Sequence, residues 1–367
     1  MNVQSGFITD RPIRILIVGT GGMARTHVES YQSIGGVDVV GGVDPREGPR
    51  NAFQERHGIP HGFASIEDAI AWGEFDAVSN VTPDQVHHAT TLPFLSAGKH
   101  VLCEKPLATS YRQAQEMADA AKAAGVINMV NLSYRNVPAL QEAAKMVARG
   151  DIGTVRHFEA SYLQSWLTQP AWGDWHTESQ WLWRLSKAHG SKGVLGDVGI
   201  HIIDYATFII GSGVKDLNCR LVTFDKAPGG VIDQYTLDAN DSFVMHLALD
   251  NGSIGTISAT RFATGHLNDL RLRVYGDKGG LEVLFERKES RLRACLEPIM
   301  ITATWEDIET PDVPTVYQRF VSAIRGQDTP EPDFQRGAEL QRVLDDAERF
   351  ETPGLQMTPD VAATSAA

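Results

Sequence analysis

Two ionisable side chains in an otherwise apolar stretch have types and a spacing suited to moving a proton. Asp197 and His201 are four residues apart, and Asp204 follows three residues later, so on a helix the three would lie along one line. Histidine is the natural general base because its ordinary pKa lies near neutrality, and Asp197 would orient the ring or a substrate. The structural alternatives are a helix-start charge for Asp197, a satisfied core histidine and a buried acceptor for Asp204.

A lysine stands directly after a predicted strand in a second segment, His-Val-Leu-Cys-Glu-Lys-Pro at 100–106. The ammonium group of Lys105 could hydrogen-bond a hydroxyl and stabilise the negative charge that develops on its oxygen as hydride leaves carbon. The alternative is a surface lysine paired with Glu104. A metal bound by Asp197 and His201, helped by His176 or Glu178, is conceivable from the ligand types, but we predict none, because a general base makes a metal unnecessary for this oxidation.

Residues 13–24 read as an apolar strand that breaks into glycines and then into helix formers. The G-x-G-x-x-G/A spacing is typical of a dinucleotide-binding turn, followed by a helix whose free N–H groups face the pyrophosphate. The predicted contacts in this turn are Gly19, Gly21, Gly22, Met23 and Ala24.

Asp44 ends the second predicted strand, twenty residues beyond Ala24. A carboxylate there accepts hydrogen bonds from both ribose hydroxyls and repels a 2′-phosphate, which favours NAD. Arg46 and Arg50 could neutralise that charge, so a pocket that also takes NADP stays open, and the structural alternative is a cap on the turn into Pro45. The other predicted cofactor contacts follow later strands and are Thr82, Pro83, His87, Glu104 and Lys105.

The elements that must position these residues alternate between strand and helix in the first third of the chain. This pattern predicts a doubly wound parallel sheet with helices on both faces, in which ligands lie beyond the carboxyl ends of the strands. Helices are expected at 65–72, with Ser65 as N-cap, and at 110–124, ending at Gly125. The predicted strands are Ile13–Val18, Val37–Val43, Ala77–Val81, His100–Cys103 and Ile127–Val130.

The rest of the chain predicts an α+β domain with a large, mainly antiparallel open sheet. Asn251-Gly252 lies between two alternating segments and is a strong hairpin signal. We place the domains at 10–132 and 133–352, with a tail at 353–367. One face of the second sheet would need a cover, which favours a homodimer or homotetramer through that sheet.

Composition narrows the range of partners. The 367 residues include 33 basic and 46 acidic side chains, for a net charge of -13, and without a basic run we expect no nucleic-acid partner. The three cysteines are widely spaced, as is typical of reduced thiols. We find no signal peptide and no apolar run as long as a membrane span, so we expect no membrane association and a cytoplasmic protein.

Three segments in this order resemble the glucose-fructose oxidoreductase/inositol dehydrogenase/rhizopine catabolism (Gfo/Idh/MocA) family. They are the turn Gly-Thr-Gly-Gly-Met-Ala at 19–24, the stretch ending Glu-Lys-Pro at 97–106, and Gly-Asp-Val-Gly-Ile-His at 196–201. The resemblance implies an N-terminal Rossmann domain, a C-terminal domain with an open sheet, and NAD(P)-dependent oxidation of a ring hydroxyl in a sugar or cyclitol. It maps Lys105, Asp197 and His201 onto the family's catalytic lysine, aspartate and histidine, and implies a cis Lys105–Pro106 bond.

The same resemblance suggests which residues hold the substrate, a sugar, glycoside or inositol. Tyr134 and Arg135 match a position that lines the family's cleft, while Trp166 and Arg184 belong to a Trp-rich stretch like that of the sugar and cyclitol dehydrogenases. Aromatic faces suit the C–H faces of a sugar ring, and arginine donates to hydroxyls. Two other functions stay open: a non-catalytic NAD(P)- or sugar-sensing protein, and an enzyme whose tightly bound cofactor is recycled between two sugars or in oxidative glycoside cleavage.

Overall fold

The computed structural model describes residues 7–8 and 10–349 of the chain. The tail predicted at 353–367 lies outside the described residues. Within them, the first 130 residues form a parallel sheet with the strand order β3-β2-β1-β4-β5-β6. The strands are β1 (Ile13–Val18), β2 (Val37–Val43), β3 (His61–Phe63), β4 (Ala77–Asn80), β5 (His100–Cys103) and β6 (Asn128–Val130). The helices between them are α1 (Gly22–Gln32), α2 (Glu47–His57), α3 (Ile66–Trp72), α4 (His87–Ser96) and α5 (Tyr111–Ala124).

Local sequence signals set the ends of several of these helices. The Ser65 hydroxyl caps α3 by accepting from the Asp68 N–H, and Ser110 caps α5 by accepting from the Gln113 N–H. Gly125 ends α5 in the left-handed conformation, which glycine adopts without a steric penalty. The predicted N-cap of α3 at Ser65 and the predicted end of α5 at Gly125 are therefore confirmed.

The second half of the chain builds an eight-stranded mixed sheet with the order β16-β15-β14-β13-β7-β12-β11-β8, and a separate two-stranded ribbon. Its only parallel pair among the described strands is β7 with β12. The strands are β7 (Val155–Leu163), β8 (Val214–Val222), β9 (Val231–Ile232), β10 (Tyr235–Thr236), β11 (Ser242–Leu249), β12 (Ile254–Thr260), β13 (Asp269–Gly276), β14 (Gly279–Glu286), β15 (Glu289–Leu296) and β16 (Glu306–Ile308). The helices are α6 (Pro138–Arg149), α7 (Ser179–Leu182), α8 (Ile200–Ile210), α9 (Val316–Ile324) and α10 (Phe334–Arg349).

Among the described residues, helices cover one face of this second sheet. The helices α6, α8 and α10 pack against it, and the inward side chains of alternating strand positions join their core. On the other face Val244 and Ile254 are more than half exposed. Both parts of the predicted fold class, the doubly wound parallel sheet and the mainly antiparallel open sheet, are confirmed.

The last helices return to the first sheet, which the sequence pattern did not predict. Val316, Phe320 and Ile324 of α9 share a buried cluster with Ile13 and Ala24 of the first domain, and α10 packs against α5. The two halves are therefore held together by side-chain packing as well as by the chain connection at the predicted boundary after residue 132. None of the helices within residues 7–8 and 10–349 is both long and apolar enough to cross a bilayer.

Candidate active site

A cavity of about 930 Å³ opens at the carboxyl ends of β1, β2, β4 and β5, and the segment 183–197 of the second domain closes its far side. This edge is where ligands bind in doubly wound sheets. Most of the side chains and glycines predicted as a site meet here. The predicted residues that line the cavity are Gly19, Gly21, Gly22, Met23, Asp44, Arg46, Thr82, Pro83, Glu104, Lys105, Arg184 and Asp197.

Two of the three glycines in the turn after β1 leave open space at the edge of the cavity, and the third packs against a neighbouring loop. Gly19 has φ +91°, and a Cβ there would lie 3.0 Å from Thr82 N and Val81 O, so the loop after β4 packs directly on it. Gly21 and Gly22 have nothing within 4 Å of a Cβ position, which leaves space for a ligand. Ala24, predicted as a contact of this turn, is fully buried in α1, so it packs within the domain and does not line the cavity.

Asp44 ends β2 with its carboxylate held in place. Its Oδ2 accepts from Thr20 Oγ1 at 2.8 Å and Arg46 NH2 at 3.0 Å, while Oδ1 accepts from Arg46 N and Nε, both at 3.0 Å. Burial would raise the pKa of Asp44, but the hydrogen bonds from Arg46 and Thr20 hold it well below its usual range. A fixed carboxylate at this strand end suits a ribose diol, so the residues fit NAD.

The end of β4 presents Thr82 to the cavity through a network of hydroxyl and amide groups. Thr82 Oγ1 donates to Asn80 Oδ1 at 2.7 Å, and Asn80 Nδ2 donates to the hydroxyl oxygens of Thr90 and Thr91, each at 2.8 Å. Asn80 is fully buried, so its side chain acts as a fixed support that orients Thr82.

Glu104 reaches the cavity from a buried polar network beneath the sheet edge. Its Oε1 lies 2.8 Å from His27 Nε2 and accepts from Asn131 Nδ2 at 2.6 Å, and the other nitrogen of His27 lies 2.7 Å from Ser79 Oγ. Burial would raise the pKa of Glu104, but His27, Asn131 and the Lys105 charge lower it to about 2. Glu104 is thus a fixed anion beside Lys105. Sequence reasoning missed His27 and Asn131, because their contacts form only when α1 packs beside the ends of β5 and β6.

Lys105 and Asp197 face each other across the cavity, one from each domain. Lys105 Nζ donates to the Asp197 carbonyl oxygen at 2.7 Å and lies 3.5 Å from Asp197 Oδ1. Arg261 NH2 donates to Asp197 Oδ2 at 3.1 Å, and Arg184 Nε lies 3.9 Å from the same oxygen. Burial would raise the pKa of Asp197, but these three cations hold it well below its usual range, so Asp197 remains an anion at neutral pH.

His201 lies behind this pair and does not line the cavity itself. Its ring is buried and packs edge-to-face on Tyr134, with centroids 5.0 Å apart. Burial and the nearby Lys105 charge lower the pKa of His201 to about 3, and Nδ1 has no hydrogen-bond partner among the described residues. The imidazole is therefore neutral and Nδ1 can accept a proton, but the same burial and charge that keep the ring neutral weaken it as a base.

The helix that carries Asp197 and His201 begins irregularly. Leu195–Gly199 forms one π-helical turn that continues directly as α8. The turn that contains Asp197 is therefore wider than a regular α-helical turn. The Asp197 carbonyl and carboxylate both turn toward Lys105. Asp204 does not join them, because Arg135 and Arg336 bind its carboxylate with N–O distances of 2.6 to 2.9 Å.

Besides Ala24 and His201, four predicted contacts do not line the cavity and need correction. The Tyr134 hydroxyl is hydrogen-bonded to that of Tyr162 at 2.5 Å. Arg135 is buried, donates twice to Asp204 and stacks on Phe208 at 3.5 Å, so it holds α8 and lines a separate cavity of about 620 Å³. Trp166 is buried in an apolar cluster and donates to Gln164. His87 is buried with both ring nitrogens against backbone oxygens. None of these side chains is free to bind a ligand in the cavity.

Arg261 is a site residue that sequence reasoning missed. It is fully buried at the end of β12, its guanidinium lies 4.9 Å from the centre of the Trp166 ring, and NH1 donates to the Arg184 carbonyl at 3.1 Å. Trp166 therefore supports the cation that holds Asp197. No local pattern marks Arg261, since its partner Asp197 is 64 positions away along the chain.

The candidate metal ligands do not assemble. His176 and Asp174 are exposed and bonded to each other, and no group of three or more His, Cys, Asp or Glu side chains within the described part of the chain could hold a metal ion. The Lys105–Pro106 bond is cis, as the resemblance implied.

Each of the two halves of the chain matches the model of a known protein family. Residues 13–132 match the model of an oxidoreductase family with an NAD-binding Rossmann fold, and residues 140–282 match the GFO/IDH/MocA C-terminal domain. The chain belongs to the Gfo/Idh/MocA family. Membership confirms the resemblance drawn from the three segments and places the chain in an oxidoreductase family whose Rossmann fold binds NAD.

Individual relatives of the Gfo/Idh/MocA chain act on sugars and cyclitols, as their names state. It is 29% identical over 248 residues to levoglucosan dehydrogenase of Pseudarthrobacter phenanthrenivorans, a match that covers 64% of this chain and 62% of that protein, just under two thirds of its length. It is 30% identical over 236 residues to scyllo-inositol 2-dehydrogenase (NADP(+)) of Bacillus subtilis, covering 64% and 69%. An oxidoreductase domain protein from Kribbella flavida superposes with a TM-score of 0.81 at 30% identity, covering 93% and 97% of the two chains.

Proposed function

We propose that the chain is an NAD-dependent dehydrogenase that oxidises a ring secondary alcohol of a sugar, glycoside or inositol. The observation that carries this proposal is the meeting of Lys105 from the first domain with Asp197 from the second at the inner end of the cofactor cavity. His201 lies close enough to Lys105 for the ammonium charge to lower the pKa of the ring further than burial alone does. Relatives named as levoglucosan and scyllo-inositol dehydrogenases support the substrate class.

Each of the three residues has a role that follows from its charge and surroundings. Bound NAD supplies the hydride acceptor. Lys105 donates a hydrogen bond to the substrate oxygen and stabilises the negative charge that develops there. His201 takes the hydroxyl proton, which its neutral, unpartnered imidazole allows. Asp197, fixed as an anion by three cations, orients the substrate and offsets the positive charge that His201 acquires.

A substrate panel with matched variants tests the proposal. Inositols, aldoses and glycosides are assayed with NAD and with NADP, and the reduced nicotinamide is followed by absorbance. Lys105→Met and His201→Ala should each lower kcat by about 10²- to 10⁴-fold, while the Kd of NAD, measured by fluorescence titration, stays close to that of the wild type.

Two controls make the result specific. Lys122→Met removes an exposed lysine on α5, and His88→Asn removes a partly exposed histidine on α4; neither should affect turnover. Near-normal kcat of both Lys105→Met and His201→Ala on the oxidised substrate would contradict the assigned roles. Absence of reduced nicotinamide with every alcohol would favour the sensing function instead, and mass spectrometry of the purified protein tests for a retained cofactor.

A further inference from the structure

His87 is the fully buried first residue of α4, and both nitrogens of its ring face oxygens that can only accept hydrogen bonds. Nδ1 lies 2.9 Å from the carbonyl oxygen of Pro106, and Nε2 lies 2.8 Å from that of Thr82. A neutral imidazole has one N–H and one lone pair, so it can satisfy only one of these contacts. The other contact would set a nitrogen lone pair against an oxygen lone pair. Two donors are needed, and only the imidazolium ion has them.

A buried cation at this place needs compensation, because burial and the N-terminus of α4 both disfavour it. The two carbonyl dipoles point their negative ends at the ring, and the Asp84 carboxylate lies three residues upstream. Burial alone would lower the pKa of His87, but the neighbouring Cys103 sulfur, the Asp84 charge and the Pro106 carbonyl outweigh it and raise the pKa to about 10. The other charged groups that act on Asp84 here are Lys105, Asp197 and Glu104.

The two loops that His87 joins both contribute to the cavity. Thr82 follows β4 and Lys105 follows β5, the neighbouring strand, and both residues line the cavity. Pro106 comes directly after Lys105, so a hydrogen bond to its carbonyl restrains the position of the lysine. A bond to the Thr82 carbonyl restrains a residue that is predicted to contact the cofactor. His87 itself does not reach the cavity.

We propose that His87 is a positioning residue that remains protonated at neutral pH and ties the Lys105 loop to the Thr82 loop through two hydrogen bonds. Its effect on turnover rests on the proposed function of Lys105. Its protonation state and its effect on cofactor binding do not, so the two proposals can fail separately.

The protonation state is measured directly by neutron crystallography of the full chain at neutral pD. We expect deuterium on both Nδ1 and Nε2 of His87, each pointing at its carbonyl oxygen. His27, whose Nδ1 faces the Ser79 hydroxyl and whose Nε2 faces the Glu104 carboxylate, is an internal reference in which a single ring proton satisfies both contacts. A bare nitrogen on His87 would overturn the proposal without reference to any variant or substrate.

Two conservative variants separate the two bonds. The amide nitrogen of asparagine can occupy the place of Nδ1, and that of glutamine the place of Nε2. His87→Asn therefore keeps the bond to Pro106 and loses the bond to Thr82, so we expect the Kd of NAD to rise about tenfold with a smaller change in kcat. His87→Gln keeps the bond to Thr82 and loses the bond to Pro106, so kcat should fall about tenfold with the Kd of NAD nearly unchanged.

The neighbouring histidine supplies matched controls. His88 lies on the same helix but is partly exposed and bonded to Glu116 on α5, so His88→Asn and His88→Gln should leave both constants unchanged. Equal losses of kcat and NAD affinity in the two His87 variants would indicate a merely structural role and overturn the positioning assignment. Wild-type constants in both would overturn it as well. If no alcohol is oxidised by the wild type, the neutron result and the NAD Kd still decide the question.

Discussion

The two carboxylate oxygens of Asp44 accept hydrogen bonds from Thr20 and Arg46. This arrangement predicts how the preference for NAD or NADP can be changed. Arg46 forms three of the contacts, one through its main-chain N–H, and is otherwise exposed. In Asp44→Ser the ribose acceptor is lost and the Arg46 guanidinium is released toward the place where a 2′-phosphate would lie. We expect the Kd of NAD to rise and that of NADP to fall, changing their ratio by about 10- to 100-fold.

The double variant Asp44→Ser, Arg46→Ala isolates the second effect. It should bind NAD as weakly as the single variant but lose the gain in NADP affinity. Fluorescence titration with both dinucleotides measures all four constants. An unchanged ratio of the two Kd values in Asp44→Ser would mean that the carboxylate does not select the cofactor.

His201 predicts a pH dependence of stability whose sign follows from its lowered pKa. The ring has a pKa of about 3 in the folded protein, against an ordinary value near 6.5. Between these values the unfolded chain binds a proton at this side chain and the folded chain does not, so His201 lowers the free energy of unfolding as the pH falls from about 6.5 toward 3. His201→Asn cannot take up the proton and lacks this loss.

Urea unfolding at several pH values measures this contribution. The difference in free energy of unfolding between wild type and His201→Asn should shift in favour of the variant as the pH falls below about 6.5. Lys105→Met in a chain that keeps His201 removes the charge that, after burial, contributes most to lowering the His201 pKa. The free energy of unfolding of this variant should therefore fall less steeply than that of the wild type below pH 6.5. Parallel curves for wild type and His201→Asn would show that the ring is not held neutral.

At the scale of elements, glycine has two different roles in the turn between β1 and α1: one position needs it for folding and another leaves space for the cofactor. Gly19 needs its glycine for folding, because a side chain there would have φ +91° and would press on the loop after β4. Gly21 has φ −76° and open space around its Cβ position, so an alanine fits the protein but intrudes on the ligand space. We expect Gly19→Ala to lower both the melting temperature and NAD affinity, and Gly21→Ala to lower NAD affinity alone.

Gly48→Ala on α2 is the control, since its Cβ also meets open space and it does not line the cavity. It should leave both quantities near those of the wild type. The melting temperature is measured by scanning calorimetry and the Kd of NAD by fluorescence titration. A Gly21→Ala variant that binds NAD normally would contradict the assignment of that open space to the cofactor.

Elements that depend on local signals could be predicted from the sequence, and those that depend on distant pairing could not. The N-cap at Ser65, the helix end at Gly125 and the hairpin signal at Asn251-Gly252 act over a few residues, and β11 and β12 pair around that turn. The parallel pairing of β7 with β12 and the return of α9 to the first sheet arise from tertiary packing. No window of the sequence contains that information.

The same distinction applies to the site. Lys105, Asp44 and the glycines follow strands whose carboxyl ends must meet at one edge, so their convergence is dictated by the fold class. Arg135 was misassigned because its partner Asp204 is 69 positions away, and a buried ion pair leaves no local signature. His87 lies next to the cavity, as predicted, but it bonds to the loops that line the cavity and does not line it itself. A sequence pattern does not distinguish a side chain that contacts a ligand from one that supports a loop.

At the scale of the whole molecule, the active-site cavity exists only because two domains close on it. Lys105 comes from the first and Asp197 from the second, and α9 and α10 bind the second back onto the first. The open face of the second sheet lies on the opposite side of that sheet from the helices α6, α8 and α10. A partner on this face would therefore stabilise the second domain without blocking the packing of its helices.

The side chains of that open face favour a second copy of the chain as the partner. Val244 and Ile254 expose 52% and 57% of their surface on adjacent strands, and farther along the same sheet Arg273 is paired with Glu159 and Glu282. An open sheet face that exposes apolar side chains among polar ones suits self-association through a two-fold axis. We expect the purified chain to be a dimer or tetramer through this face.

Substitution of the exposed apolar positions tests this assembly. Val244→Glu with Ile254→Glu places like charges across a two-fold interface, so light scattering coupled to gel filtration should show a smaller species than the wild type at equal concentration. Val231→Glu is the matched control, because Val231 is 47% exposed on β9, outside the eight-stranded sheet, and it should leave the mass unchanged. A monomeric wild type, or a double variant that keeps the wild-type mass, would show that this face does not form the interface.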